Sequence, residues 1–251
     1  MMENMVNIIN IENKIKEIID KYTGTVGIVL RDSNGNSINI NENIVFPSAS
    51  IIKLFILGAL DKDDYNKPIT LIKDDKVSGC GVLKVMNDGI VLKIRDIAYL
   101  MITLSDNTAT NMLISYIGMD KINEYINKNR YKGTILGRKM MDTKAREAGR
   151  DNFTTPRDVY GILQLLFEDN TATDMLKNQA SINKLPLYIV NEVEIAHKTG
   201  ELLYIEHDVG RMYFKNEYVD IIVLTKDLSK NEDGIRINSE IGKLIFDSYS
   251  K

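Results

Sequence analysis

A serine and a lysine stand one helical turn apart in Phe46-Pro47-Ser48-Ala49-Ser50-Ile51-Ile52-Lys53, at the head of the apolar run Leu54 to Leu60. Serine is a weak nucleophile until a base takes its proton. A lysine can be that base when burial or a neighbouring cation lowers its pKa. Residues three apart share a helix face, so Lys53 can approach the Ser50 hydroxyl. The same spacing recurs at Ser181/Lys184 and Ser248/Lys251. Neither of those heads a long apolar helix, and both are read as coincidental. Two further triplets carry polar chemistry. Ser105-Asp106-Asn107 also suits a helix cap, and Lys198-Thr199-Gly200 suits an edge strand running into a turn. Each is ordinary alone. Their order, each on such an element, points to one composite site.

The elements that must position these groups follow from hydrophobic period. Ile11, Ile15, Ile18, Ile19 and Tyr22 recur at helical spacing. Two β-rich runs flank the turn cluster Asp32-Ser33-Asn34-Gly35, as in a hairpin. From about Ser50 to about Leu185 the pattern is mostly helical, with Thr155-Pro156 as an N-cap and first-turn proline. After Asn191, "EIAHKTG", "DVGRMYF" and "EYVDIIVLT" read as three strands. Ser229 to Glu232 has capping-box spacing before a final helix ending near Tyr249. Strands at both ends and helices between them predict an α/β (α+β) fold. Residues 1–45 and 190–251 form a sheet-and-helix half, residues 46–189 a helical half, and the site lies in the cleft between them.

Composition bounds the function. The 251 residues are 44% hydrophobic, enough for a sizeable core, and the net charge of −3 offers no basic field for nucleic acid. One cysteine, Cys80, excludes an intrachain disulfide, and His197 and His207 have no metal-ligand spacing. No cofactor or metal is expected. Glu3, Glu12, Lys14, Lys16 and Glu17 interrupt any signal-peptide core, and no run approaches a membrane span. The expectation is a monomer away from the membrane, cytoplasmic as the chain stands, or exported if a leader has been removed.

Ser-x-x-Lys, Ser-Asp-Asn and Lys-Thr-Gly, in that order, resemble the penicillin-recognising serine enzymes, including class A β-lactamases. "LKIRDIAYLMITLSDNTATNMLISYIG", "FTTPRDV" and "HKTGELLYIEHDVG" are also similar, and the resemblance runs over roughly residues 22–250. It implies a β-lactamase/transpeptidase-like fold: a five-stranded antiparallel sheet flanked by terminal helices, plus a helical half. It also implies that Ser50 attacks an amide carbonyl, Lys53 takes its proton, and Ser105 relays a proton to the leaving nitrogen. Lys198 would keep Lys53 from charging and attract an anionic substrate. Thr199, followed by Gly200, would bind the substrate carboxylate, Asn107 its side amide. The N–H groups of Ser50 and Glu201 would form the oxyanion hole.

Two departures matter. A class A β-lactamase releases its acyl-enzyme with a glutamate on the loop before the Thr-Pro helix. Here Met140 or Lys139, depending on the register, stands at that place, and the nearby Asp142, Glu147 and Asp151 read as solvated loop residues. In many relatives an arginine precedes the His-Asp of "HDVG"; here it is Glu206, with Arg211 as a conceivable replacement. A triad of Ser50, His207 and Asp208 can be drawn, but adjacent strand residues face opposite ways. The reading is therefore a serine hydrolase acting on β-lactams or peptide-like amides, with slow or altered deacylation. Its rivals are a D-alanyl-D-alanine-type peptidase, whose cell-wall substrate lies outside the membrane, and a ligand-capture module that signals through a partner.

Overall fold

Apolar residues from both ends of the chain build one sheet. The computed structural model describes residues 8–250. Residues 1–7, including Glu3, and Lys251, the lysine of the Ser248/Lys251 pair, lie outside the described residues. The chain opens with α1 (Ile8–Ile19), β1 (Thr25–Asp32), β2 (Ser37–Ile40) and β3 (Phe46–Pro47). After a 3₁₀ turn, Ala49–Ile51, come α2 (Ile52–Gly58), β4 (Pro68–Thr70), β5 (Val91–Lys93), α3 (Ile94–Thr103), α4 (Asn107–Ile117) and α5 (Met119–Lys128). Then follow α6 (Thr143–Glu147), β6 (Phe153–Thr154), α7 (Pro156–Phe167), α8 (Asn170–Lys177), β7 (Glu194–Leu202), β8 (Ile205–Tyr213), β9 (Tyr218–Lys226) and α9 (Asn231–Tyr249). The main sheet has the order β2-β1-β9-β8-β7, every neighbouring pair antiparallel.

The sheet is covered on both faces, which explains the nearly unbroken apolar runs of β1 and β9. Successive strand residues point to opposite faces. Ile221 and Val223 join the cluster beneath α1 and α9, with Ile11, Ile15, Ile237 and Ile241. Ile222 and Leu224 join the cluster of the helical region, with Phe55, Met101, Leu113 and Ile162. Full burial of one such side chain stabilises by about 1.5–3 kcal/mol. The same alternation sends Lys198 and Gly200 toward Ser105, Ala49 and Ile51, and His197 the other way, to Asp208.

Several caps match the sequence reading. The Asp106 carboxylate accepts from the Ala109 N–H and starts α4, and the Thr155 hydroxyl accepts from the Asp158 N–H at the head of α7, with Pro156 in its first turn. The capping box at Ser229 does not form. The cap residue is Lys230, without a side-chain bond. Ser229 Oγ pairs instead with Thr23 Oγ1, and the Asn231 amide reaches away to Leu202 O and Glu206 Oε1. Ser50 also sits on the 3₁₀ turn rather than in α2. Lys53 lies just beyond it, in the first turn of α2.

Candidate active site

Four elements converge on Ser50. The turn that carries it is set by Ala49, which adopts a left-handed backbone (φ 47°), and by the Ser48 N–H, which donates to Asn152 O at 2.8 Å. A non-glycine residue in that region stores strain and marks a site held by its surroundings. β7 passes close by. A Cβ on Gly200 would lie 3.1 Å from Ile51 Cγ1 and 3.3 Å from Ala49 Cβ, so glycine permits the approach. Ser105 is likewise left-handed (φ 52°). Asp106 anchors it: besides capping α4, its Oδ2 accepts from the N–H groups of Val82 and Leu83 at 2.6 and 2.9 Å.

Lys53 and Lys198 meet at Ser105. Lys53 Nζ donates to Ser105 O (2.7 Å), Ser105 Oγ (3.0 Å) and Asn107 Oδ1 (3.0 Å). Lys198 Nζ donates to Ser105 Oγ (3.2 Å) and to Thr199 O (2.8 Å). Both lysines are fully buried. Burial lowers the Lys53 ammonium to about 7, against a weaker upward pull from Cys80 and Asp106. Lys198 is pushed well below the ordinary lysine range by burial, then by Lys53 and Lys184. Two buried ammonium groups around one hydroxyl cannot both hold a proton cheaply. The arrangement can therefore take a proton at one nitrogen and return it through Ser105.

In this state Lys53 gives none of its bonds to the Ser50 hydroxyl, contrary to the simplest reading of the motif. Its three ammonium donors are matched by the three Ser105 and Asn107 acceptors. Loss of one proton frees a lone pair for Ser50. Asn107 is drawn inward by the same network: its Nδ2 faces Ser78 O at 3.3 Å and it does not line the cleft. Thr199, Gly200 and Glu201 do line it, with Ser50 and Ser105, in a cavity of about 620 Å³.

The structure also brings in residues that sequence reasoning passed over. Cys80 and Ser181 line the cleft. Lys184, dismissed as part of a coincidental pair, is 1% exposed and donates to Gly200 O at 3.1 Å. It forms an ion pair at 2.7 Å with Glu206, also 1% exposed, whose carboxyl burial pushes up. No sequence signal joins the two, because they come from a loop and from β8. Removing one partner of a buried pair costs about 3–5 kcal/mol. Lys184→Met should lose that much stability in urea unfolding, and adding Glu206→Met should restore part of it. Equal stability of the wild type and Lys184→Met would show that the pair contributes nothing.

Other assignments are settled by their partners. Arg211 does not replace the missing arginine. It is bidentate to Asp220 (2.6 and 3.0 Å) and stacks on Tyr218 and Phe167. His207 Nδ1 accepts from the Thr225 N–H and its Nε2 donates to Pro47 O, so it is neutral, its pKa lowered by burial to about 4. Asp208 faces the other way, toward His197 Nδ1 (2.8 Å) and the Leu185 N–H (3.0 Å). No triad forms. On the loop before α7, Met140 packs in the core of the helical region and Met141 is exposed. Lys139 donates to Ser115, Asp142 caps α6, Asp151 pairs with Arg138 and Arg146, and Glu147 is exposed. None of these lines the cleft. Among the described residues no group of His, Cys, Asp and Glu is placed to hold a metal ion, and no helix is long and apolar enough to cross a membrane.

This fold, with Ser50 on the cleft and two buried lysines meeting at Ser105 beside it, is that of the β-lactamases. The β-lactamase of Sphaerobacter thermophilus superposes with a TM-score of 0.86 at 27% identity, over 98% of each chain. PBP-A superposes with a TM-score of 0.84 at 23% identity, over 96% of each. Residues 10–249 match the Beta-lactamase enzyme family, and the chain belongs to it. A β-lactamase of Bacteroides uniformis is 24% identical, over 95% of this chain and 90% of that one. The protein is a class A β-lactamase-like serine hydrolase.

Proposed function

We propose that Ser50 forms an acyl-enzyme on β-lactams or peptide-like amides, and that release of the acyl group is slow. The observation that carries this reading is the convergence of Lys53 and Lys198 on Ser105 Oγ beside Ser50. Neutral Lys53 takes the Ser50 proton as Oγ bonds to the amide carbon. The oxyanion is met by the Ser50 and Glu201 N–H groups. The C–N bond then breaks, Ser105 gives its proton to the leaving nitrogen, and Lys53 returns one to Ser105. Deacylation adds water to the ester carbon and returns a proton to Ser50 Oγ.

Slow release is supported by the loop before α7. Its carboxylates are engaged or directed elsewhere, and Met140 and Lys139 offer no carboxylate. A Leu-to-Glu mutant of PBP-A, a relative by fold, is described as an acyl-enzyme complex with penicillin G. That protein thus holds such a covalent state.

The pH dependence of acylation tests the role of Lys53. Its neutral form is the base, and its pKa is lowered to about 7. The acylation rate constant should rise as pH increases through about 7 and level off above it. Stopped-flow measurements with a chromogenic cephalosporin at limiting concentration read this directly. A rate that is flat from pH 5 to 9 would remove Lys53 as the proton acceptor.

A further inference from the structure

A buried cation bonds to one backbone carbonyl of the strand that borders Ser50. Lys184 and Glu206 are each 1% exposed. Glu206 Oε2 lies 2.7 Å from the ammonium but outside hydrogen-bond geometry. The hydrogen bond of the ammonium goes instead to Gly200 O, at 3.1 Å. Both ends of the pair are anchored. The Leu185 N–H donates to Asp208 Oδ2 at 3.0 Å, and the Asn231 amide donates to Glu206 Oε1 at 2.7 Å. A buried ion pair is weak ground for stability, since apolar residues of similar volume often do as well. Its place beside the site gives it a different use.

The Gly200 carbonyl and the Glu201 N–H belong to one trans peptide and point opposite ways. The strand register fixes which way. Glu206 is the partner of Glu201 across β7 and β8. It turns both of its backbone groups to Thr225 Oγ1 on β9: its N–H donates at 2.9 Å and its O accepts at 2.7 Å. Two residues opposed in this way in an antiparallel ladder turn their N–H groups away from each other. The Glu201 N–H therefore faces out from β7, the edge strand of the sheet, while Gly200 O faces inward.

We propose that Lys184 is a positioning residue for acylation: bound to Gly200 O, it fixes this peptide and strengthens the Glu201 N–H as a donor to the oxyanion. The inference rests on the proposed acylation of Ser50. As the oxyanion forms, its bond to the N–H draws negative charge onto the carbonyl oxygen of the same peptide. An ammonium already on that oxygen stabilises the charge, and it needs no rearrangement at the moment of reaction.

Lys184 has a second route to the site, through its repulsion of Lys198, and the test separates the two. A penicillin isotopically labelled at the β-lactam carbonyl is mixed with the wild type, Lys184→Met/Glu206→Met and Lys184→Gln/Glu206→Gln. Neither pair leaves a buried charge alone, and both remove the cation from Gly200 O, so either one decides the matter. The acylation rate constant at saturating penicillin should fall about tenfold, less than the roughly 10²–10³-fold cost of deleting a whole oxyanion-hole donor. The half-saturating concentration should not change, because the oxyanion forms only after attack. The infrared band of the acyl-enzyme's ester carbonyl should move to higher wavenumber, since a weaker donor polarises it less, and the midpoint of the pH profile should stay in place. A moved midpoint with an unmoved band would assign Lys184 to Lys198 and overturn the inference. An adduct formed at the wild-type rate with an unmoved band overturns this inference alone. No adduct on the wild type overturns the acylation reading and this inference with it.

Discussion

Replacing Ser50 by alanine abolishes covalent labelling by any β-lactam and leaves thermal unfolding close to that of the wild type. The first half follows from chemistry. An acyl-enzyme needs an oxygen on the cleft wall with a base in reach, and without Oγ the carbonyl carbon has no attacking atom. The second half follows from structure. The turn at Ser50 is held by backbone bonds, from the Ile51 N–H to Ser48 O and from the Ser48 N–H to Asn152 O, and by packing of Gly200, none of which uses the Ser50 side chain. Intact mass after incubation with a penicillin, alongside a melting curve, checks both halves. An adduct that persists in Ser50→Ala would move the nucleophile to another group on the cleft, with Ser105 and Cys80 the nearest choices.

The wild-type protein should give a burst of about one product per enzyme, followed by slow turnover. In the proposed mechanism, acylation uses Ser50, Lys53 and Ser105, and deacylation would need a base for water on the side of the loop before α7. There Asp142 is a helix cap, Asp151 is bound between two arginines, and Met140 is packed in the core. Recruiting any of them requires breaking these contacts. The loop is also clamped: Asn152 Oδ1 accepts from the N–H groups of Gly137 and Arg138, and Thr134 bonds Thr154 and Asp158. Loss of one general base slows a step by about 10²–10⁴-fold. Rapid mixing with a chromogenic cephalosporin resolves the burst from the slow phase. Steady turnover at tens per second without a burst would mean that a carboxylate of this loop reaches the ester.

Local pattern made the elements legible, while long-range pairing stayed hidden. Periods of two and of three to four placed the hairpin, the last three strands and most helices, because each buries a face that its own residues define. Ser105 and Lys198 were readable because their triplets are contiguous in sequence. The partners of Lys53 were not. Its bonds run to Ser105 and Asn107, fixed by the left-handed backbone at Ser105 and by the Asp106 anchor. The Lys184–Glu206 pair was invisible for the same reason. The capping box at Ser229 failed because the Ser229 hydroxyl pairs with Thr23 and the helix is capped one residue later at Lys230, a tertiary competitor that the local pattern does not contain.

Peptide mapping of the acylated wild-type protein tests the central claim most directly. The protein is mixed with a penicillin, quenched in acid within seconds and digested, and the modified peptide is sequenced by mass spectrometry. The added mass should equal the whole penicillin, because ring opening loses no atoms, and it should sit on Ser50. A mass on Cys80, Ser105 or a surface lysine, with the Ser50 peptide unmodified, would contradict the account.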